Sequence, residues 1–308
     1  MCYSALVWQS LSDYLRETGA IPDFEQFERL YAQRLNDKTI RTPRGFERNF
    51  DSPKSVVEKR IKDLIDQHRA AMGAKLEQGL FAQKKRLADA ERKLKVKETK
   101  AALNDQRIAS TKIETYLEKL SLLKGTQPHP DDNRIFPMIY APVMVQRGSE
   151  RLVRLARYHL RQKGKPASID RESPGLYNAR RDNLERYWRR EFGHDHALMI
   201  VDSFFENVDR DGANVRLHFM PRPAHQMLVA CLYAEWSAMG AELLSFSAIT
   251  DEPPTEVAAA GHDRCIINIK AENVARWLRP KGRSTEELQA ILSDRQKPYY
   301  EHEIDQAA

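Results

Sequence analysis

From Pro53 to Leu123 the chain reads as helix, whereas nearly everything after it reads as short strands, and this division constrains the fold more than any other feature. Leu80, Leu87, Leu94, Ala101 and Ile108 recur every seven residues, but their companion positions are largely polar. A self-associating zipper needs two apolar columns per heptad. One column favours a narrow helix, or a hairpin lying on a partner surface. Ser52 is the expected N-cap, with Pro53 at the first helical position. Gly73 and Gly79, or Asn104 and Asp105, are the expected breaks, and the segment ends at Gly125 before the turn-rich TQPHPDDN.

Strand-like runs follow at 135–145, 197–205, 215–220, 226–233, 243–250 and 265–269, with short helical pieces expected at 183–190, 271–278 and 285–293. Many short strands with few long helices between them favour an α+β fold, a mixed and mainly antiparallel β core, over a doubly wound sheet. Ahead of the helical run, residues 1–10 contain a short apolar stretch that reads as a strand. Residues 12–31 carry helical spacing interrupted near Gly19 and Pro22, and 42–50, with Pro43 and Gly45, reads as loop. The expected organisation is a core built from 1–20 and 126–300, with a basic helical or coiled-coil segment, 51–125, inserted into it.

At 308 residues, 41% hydrophobic and 31% charged, the chain is long enough to bury a large core. No apolar run approaches the roughly 20 residues that span a bilayer, and the first residues lack the basic and apolar regions of a signal peptide. The expectation is a cytoplasmic protein with no membrane partner. Three cysteines, Cys2, Cys231 and Cys265, are odd in number and share no metal-ligand spacing, which argues against a disulfide framework and a zinc site. Cys231 and Cys265 lie in apolar strand-like stretches and read as small core residues. The net charge of +6 is uneven: Ser52 to Lys124 holds 18 Lys and Arg against 10 Asp and Glu, a net of +8 that leaves −2 elsewhere. Such a segment is compatible with nucleic acid and equally with a solvated helix surface.

Cys2 is the first candidate for chemistry. Removal of Met1 would expose a 1,2-aminothiol, whose amine (pKa about 7.7 to 8.0) and thiol (about 8.5) are both partly deprotonated near neutrality and together capture an aldehyde as a ring. Glu206 follows an apolar run, where desolvation suits a carboxyl group to proton transfer. His262 opens HDR ahead of the apolar CIINI and is a candidate proton shuttle or oxyanion donor. Asn178 and Arg180, in a polar turn after Pro174 and Gly175, suit phosphate or sugar contacts. None of these signals is specific alone.

In order along the chain they resemble the SOS response-associated peptidase family, whose members shield abasic sites in single-stranded DNA. Met1-Cys2-Tyr3-Ser4 stands against the family's Met-Cys-Gly-Arg. Pro137, Pro142 and Val143 match, although Arg134 stands where asparagine is usual. Arg157-Tyr158-His159-Leu160 resembles Arg-Trp-Gly-Leu, and Asn178-Ala179-Arg180-Arg181-Asp182 resembles Asn-Ala-Arg-x-Glu. Asp202 to Asn207 stands against Asp-Gly-Phe-Tyr-Glu-Trp, and Ala230 to Tyr233 and Ser245 to Ser247 match two further segments. His262 to Cys265 resembles His-Asp-Arg-Met, and Trp277-Leu278 fits the terminal pair. The resemblance covers residues 1–10 and 133–298 and leaves the helical run out.

The resemblance implies a thiazolidine crosslink between Cys2 and the abasic sugar, with Glu206 moving protons, His262 assisting sugar opening and Asn178 orienting the N-terminus or the sugar. Arg157, Arg180 and Arg264 would hold phosphates and Tyr158 would hold the DNA strand apart, its ring free to stack on a base. Lyase and autopeptidase activities are implied as well. No metal or organic cofactor is required, and a protein partner for the basic helices stays open. Ser4, Tyr158, Ser203 and Asn207 depart from the family pattern, so a second reading also stays open: a non-covalent module for single-stranded DNA or protein partners that has lost the covalent chemistry. A cysteine protease acting on other proteins is disfavoured, because it would not need cysteine at the terminus.

Overall fold

The computed structural model describes residues 4–8, 10–125, 129–210, 212–238 and 240–305. In chain order the elements are β1 (Ser4–Val7), α1 (Leu11–Thr18), β2 (Ile21–Pro22), α2 (Phe24–Arg34), α3 (Arg44–Glu47), α4 (Val56–Val96), α5 (Lys100–Lys124), β3 (Arg134–Ile135), β4 (Tyr140–Arg147) and β5 (Glu150–Tyr158). There follow α6 (Ile169–Glu172), β6 (Asn178–Arg180), β7 (His196–Arg210), β8 (Ala213–Arg222), β9 (Met227–Ala238), β10 (Ala241–Asp251), α7 (Thr255–Ala259), β11 (Cys265–Ile266), α8 (Val274–Trp277), α9 (Thr285–Ser293) and β12 (Tyr299–Ile304).

The fold is α+β, with a mixed and mostly antiparallel core. Antiparallel pairs join β5 to β4, β4 to β7, β7 to β9 and β9 to β10, and a parallel pair joins β10 back to β5, so five strands close into a barrel. Side chains alternate between its two faces. Val143, Val145, Ala156, Tyr158, Met199, Cys231, Phe246 and Ala248 belong to the inner cluster. The intervening Met144, Val153, Leu155, Leu198, Leu232 and Ile249 pack outward with α1, α2, α9 and the first turns of α4. Both faces are therefore buried, which explains why these strands read as continuous apolar runs rather than alternating ones. β7 continues past the barrel to pair with β1 and β8, and β1 pairs in turn with β3.

The helical run is a two-helix hairpin. Its cap is Ser55, not Ser52: the Ser55 hydroxyl accepts from the Glu58 amide at 3.2 Å, and Glu58 Oε2 accepts from the Lys54 amide at 2.8 Å. Ser55 has a glutamate three residues on and Ser52 does not, and that glutamate ties the Lys54 amide, one residue ahead of the cap, to the helix start. Nor does the chain break at Gly73, Gly79 or Asn104. An added Cβ at Gly79 would come within 2.5 Å of the Tyr116 ring, so that glycine admits close helix packing, and the break falls at 97–99, where Thr99 caps α5. Residues 42–50, expected as loop, hold α3 and a 3₁₀ turn, Arg48–Phe50. Residues 183–190, expected as helix, are turns: the amides of Arg186, Tyr187 and Trp188 all converge on the Asn183 carbonyl, so no ladder propagates.

Candidate active site

β1 positions the start of the described chain beside the candidate acid. In the β1–β7 ladder Ser4 lies opposite Phe205, the residue before Glu206, and both Ser4 and Glu206 are fully buried. Cys2 itself lies outside the described residues.

Oε2 of Glu206 is 3.3 Å from Nε2 of His262. The other ring nitrogen, Nδ1, is 2.8 Å from the Arg264 carbonyl and 3.3 Å from the Arg264 amide nitrogen. These two contacts demand opposite tautomers, because a carbonyl only accepts and an amide only donates. The shorter one decides for Nδ1–H donating to the carbonyl. Burial pushes the imidazole pKa down to about 4, so near neutral pH it carries that one proton and Nε2 is bare. A bare nitrogen facing a carboxyl oxygen is attractive only with a proton between them. The contact is therefore attractive when either the Glu206 carboxyl or this ring nitrogen carries a proton.

A chain of polar contacts extends from this pair. Arg264 reaches Asp182 at 3.6 Å, and Arg180 reaches the same carboxylate at 2.8 Å. Asn178 and Arg180 lie in β6, a short strand parallel to β10 rather than the expected polar turn. Asn178 is buried, and its Oδ1 accepts from the Tyr158 hydroxyl at 3.5 Å. His262, Arg264, Arg180 and Asn178 are thus gathered where β6, β10 and the loop before β11 meet. Cys265 is close by, but burial, then the Glu206 charge, push its thiol up to about 12, and it stays protonated.

Two expected DNA contacts are placed otherwise. Tyr158 is fully buried, with its ring stacked on Phe246 at 5.0 Å between centroids, so it is presented to no base. Arg157 is buried too and donates to Asp170 at 2.8 and 3.1 Å and to the His159 carbonyl at 3.3 and 3.2 Å. These bonds use the donors a phosphate would need. In both cases the side chain belongs to the packing of β5, not to a surface.

Two neighbours of the site went unassigned in the sequence. The Arg134 guanidinium donates to the Ser4 hydroxyl from Nε and Nη2 at 3.2 Å each, donates to Asp305 at 2.8 Å and lies 3.5 Å from the Phe205 ring centre. Its departure from the family's asparagine was the only signal. His218 of β8 stacks on the other partner of that register, Phe205, at 4.3 Å, with Nε2 2.7 Å from the Ser203 hydroxyl. Among the described residues there is no group of three or more His, Cys, Asp or Glu able to hold a metal ion, and no helix is long and apolar enough to cross a membrane.

Residues 99–307 match the SOS response associated peptidase (SRAP) family. Over 120 residues the chain is 27% identical to the abasic site processing protein YobE of Bacillus subtilis (strain 168), an overlap of 38% of this chain and 55% of that protein. The chain thus spans about half the length of this curated relative. Among solved structures, a protein from Bacteroides thetaiotaomicron aligns with 56% of this chain and 77% of its own at 15% identity and a TM-score of 0.46. A second, from Bordetella bronchiseptica, aligns with 59% of this chain and 90% of its own at 17% identity and a TM-score of 0.47.

Proposed function

The chain belongs to the SOS response associated peptidase family, and from that premise we propose that it processes abasic sites in single-stranded DNA by a covalent link through Cys2. One observation carries the reading: Ser4 lies opposite the residue before Glu206, and Glu206 Oε2 lies 3.3 Å from His262 Nε2. Chain connectivity limits the separation of Cys2 from Ser4 to about 7 Å, which supports this reading.

In the reaction, the Cys2 α-amine, freed of the residue ahead of it, adds to C1′ of the ring-opened sugar aldehyde. Glu206 protonates the departing hydroxyl, water leaves and an imine forms. The thiol then adds to the imine carbon, its proton passes to the nitrogen, and a thiazolidine closes. Aldehyde and aminothiol become thiazolidine and water, with no redox step. Tethering both nucleophiles beside a proton donor makes the condensation intramolecular. His262 assists sugar opening, Asn178 orients the sugar or the amine, and Arg180 and Arg264 hold phosphates. Arg157 and Tyr158 serve as positioning residues for β5 and Asn178. An imine that escapes ring closure would permit elimination, a lyase side reaction. The division of the chain into a core, 1–20 and 126–300, and an inserted segment, 51–125, is part of the same proposal.

Incubation with abasic single-stranded DNA, followed by denaturing electrophoresis, tests it. A slower-migrating adduct is expected from the wild type, none from Cys2→Ala, and one formed about a hundredfold more slowly by Glu206→Gln, the lower end of the range for loss of a general acid. Reversible binding without any adduct would instead establish a non-covalent DNA-binding module. The departures at Ser4, Tyr158, Ser203 and Asn207 from the family pattern are what favour that second reading.

A further inference from the structure

We propose that the far half of the α4–α5 hairpin is a second DNA contact, a rigid basic arm that binds the phosphate backbone of the same single strand at a distance from the reacting site. This rests on the reading of that site as one for single-stranded DNA.

The charge of the chain is concentrated there. Residues 84–107 hold nine Lys and Arg against four Asp and Glu, a net of +5 out of the +6 carried by all 308 residues. At the base of the hairpin four cations have carboxylate partners, Arg60 with Glu28, Lys62 with Asp66, Arg69 with Glu47 and Lys124 with Glu77, all at 2.6 to 2.8 Å, while the lysines without one there among the described residues, Lys54, Lys59 and Lys75 included, stand beside no exposed aromatic stripe. In the far half Arg86 pairs with Asp105 across the hairpin and Arg92 with Asp89 along α4. Lys84, Lys85, Lys93, Lys95, Lys97 and Lys100 are exposed, and none has a carboxylate within 4 Å among the described residues.

These charges are also aligned. A helix advances about 100° per residue, so Lys84, Lys85, Arg92 and Lys95 fall within an arc of about 100°, spread over about 16 Å of α4. The seam with α5 takes the opposite side, where Leu87, Ala90 and Leu94 are covered. Phe81, 73% exposed, lies inside the same arc and offers a flat ring beside the cations. A stripe of unpaired lysines beside an exposed aromatic on one long helix matches a polyanion with stacking bases better than it matches a mixed-charge protein surface.

The arm stands on the side of the molecule that carries the site. The Leu122 carbonyl at the end of α5 accepts from Arg44, Arg48 of the adjoining turn pairs with Asp132, and two residues later Arg134 donates to Ser4. From the Glu77–Lys124 bridge to the end of α4 the helix extends about 28 Å. A strand leaving the site must therefore continue that far to meet the basic stripe.

The test is equilibrium binding of the full chain to undamaged single-stranded DNA across a salt titration, comparing the wild type with Lys84→Gln/Lys85→Gln/Lys95→Gln and with Lys54→Gln/Lys59→Gln/Lys75→Gln at the base. Each phosphate contact contributes about 0.7 to the log–log salt slope on single strands, so the far triple variant should lose about 2 from the slope and roughly tenfold in affinity at low salt. The base variant removes the same charge and should change neither. An unchanged far variant, as expected if the arm serves a protein partner, overturns the proposal, and so does an equal loss in both. Adduct formation on an abasic oligonucleotide too short to reach the arm is expected to be the same in all three proteins. Absence of that adduct even from the wild type sinks the covalent reading alone, because the salt slopes on undamaged DNA still decide the arm.

Discussion

Glu47 shows how a buried charge is held in this chain. It accepts from Arg34 at 2.5 Å, Arg69 at 2.7 Å and Thr42 at 2.8 Å. Burial alone would raise its carboxyl pKa, but the two guanidinium groups outweigh that and hold it below the usual range. Glu47→Gln keeps the shape and removes the charge, which leaves Arg34 buried without its counter-ion. A loss of about 3 to 5 kcal/mol is expected in urea unfolding, against under about 1 kcal/mol for Glu28→Gln at the half-exposed Arg60 pair. His262 makes the opposite case, a histidine held neutral. With its pKa near 4, the bare Nε2 is present throughout the neutral range and is lost only as pH falls through about 4. The His262 contribution to adduct formation should therefore be flat from pH 8 down to about 5, as read by comparing wild type with His262→Gln. An inflection near the ordinary histidine value of about 6.5 would refute the assignment.

At the level of elements, close approach explains several features that residue type alone misplaces. Pro43 and Gly45 read as loop punctuation, yet Gly45 lies in a helical turn because a Cβ there would come within 1.7 Å of the Asn133 side chain and 3.2 Å of the Asp132 carbonyl. Gly45→Ala must turn the Asn133 side chain aside and shift the Asp132 carbonyl by a few tenths of an ångström, in a segment that leads directly into Arg134 and its bond to Ser4. A cost of about 1 to 3 kcal/mol is expected, together with slower adduct formation, whereas Gly19→Ala, with nothing near its Cβ position, should cost only the strain of its left-handed backbone. The barrel strands were legible because burial on both faces writes continuous apolar runs. β5 was not, since ERLVRLARY interleaves arginines that Asp23 and Asp170 neutralise only after folding. The resemblance assigned Arg157 to phosphate, and only the fold brings in the carboxylate partner thirteen residues on that takes up its donors. Glu206 and His262 could be singled out as candidates because an acid after an apolar run and a histidine before one are local signals. Arg134 and His218 act through register, and register is not written in either strand alone.

For the molecule as a whole, the histidines set a common direction. His68, His159, His196, His218 and His262 are all pushed below the ordinary value, mainly by burial, with His196 down to about 3 and His262 to about 4. His196 is enclosed by structure that leaves no room for a second charge: its Nε2 accepts from the Gly193 amide at 3.0 Å, Nδ1 donates to the Trp277 carbonyl at 2.9 Å, and its ring stacks on Trp277 at 3.8 Å. Between about pH 6.5 and 4 the unfolded chain binds protons that the folded chain refuses, so stability rises with pH across that window and falls on acidification. His196 and His262 alone amount to nearly two protons near pH 5, a slope of about 2.5 kcal/mol per pH unit. Below that window Glu47 and Asp170, whose carboxyl groups are held under their usual range, add a further loss as pH falls through their depressed values. Urea unfolding at pH 7, 6 and 5 should therefore show a loss over the first step a little over half as large as the loss over the second. His262→Gln should remove about half of the slope that these two residues produce, while retaining the hydrogen-bonding capacity of the position. A stability profile flat from pH 7 to 5 would mean that these imidazoles accept protons in the folded state. The neutral His262 beside Glu206 would then be lost as well.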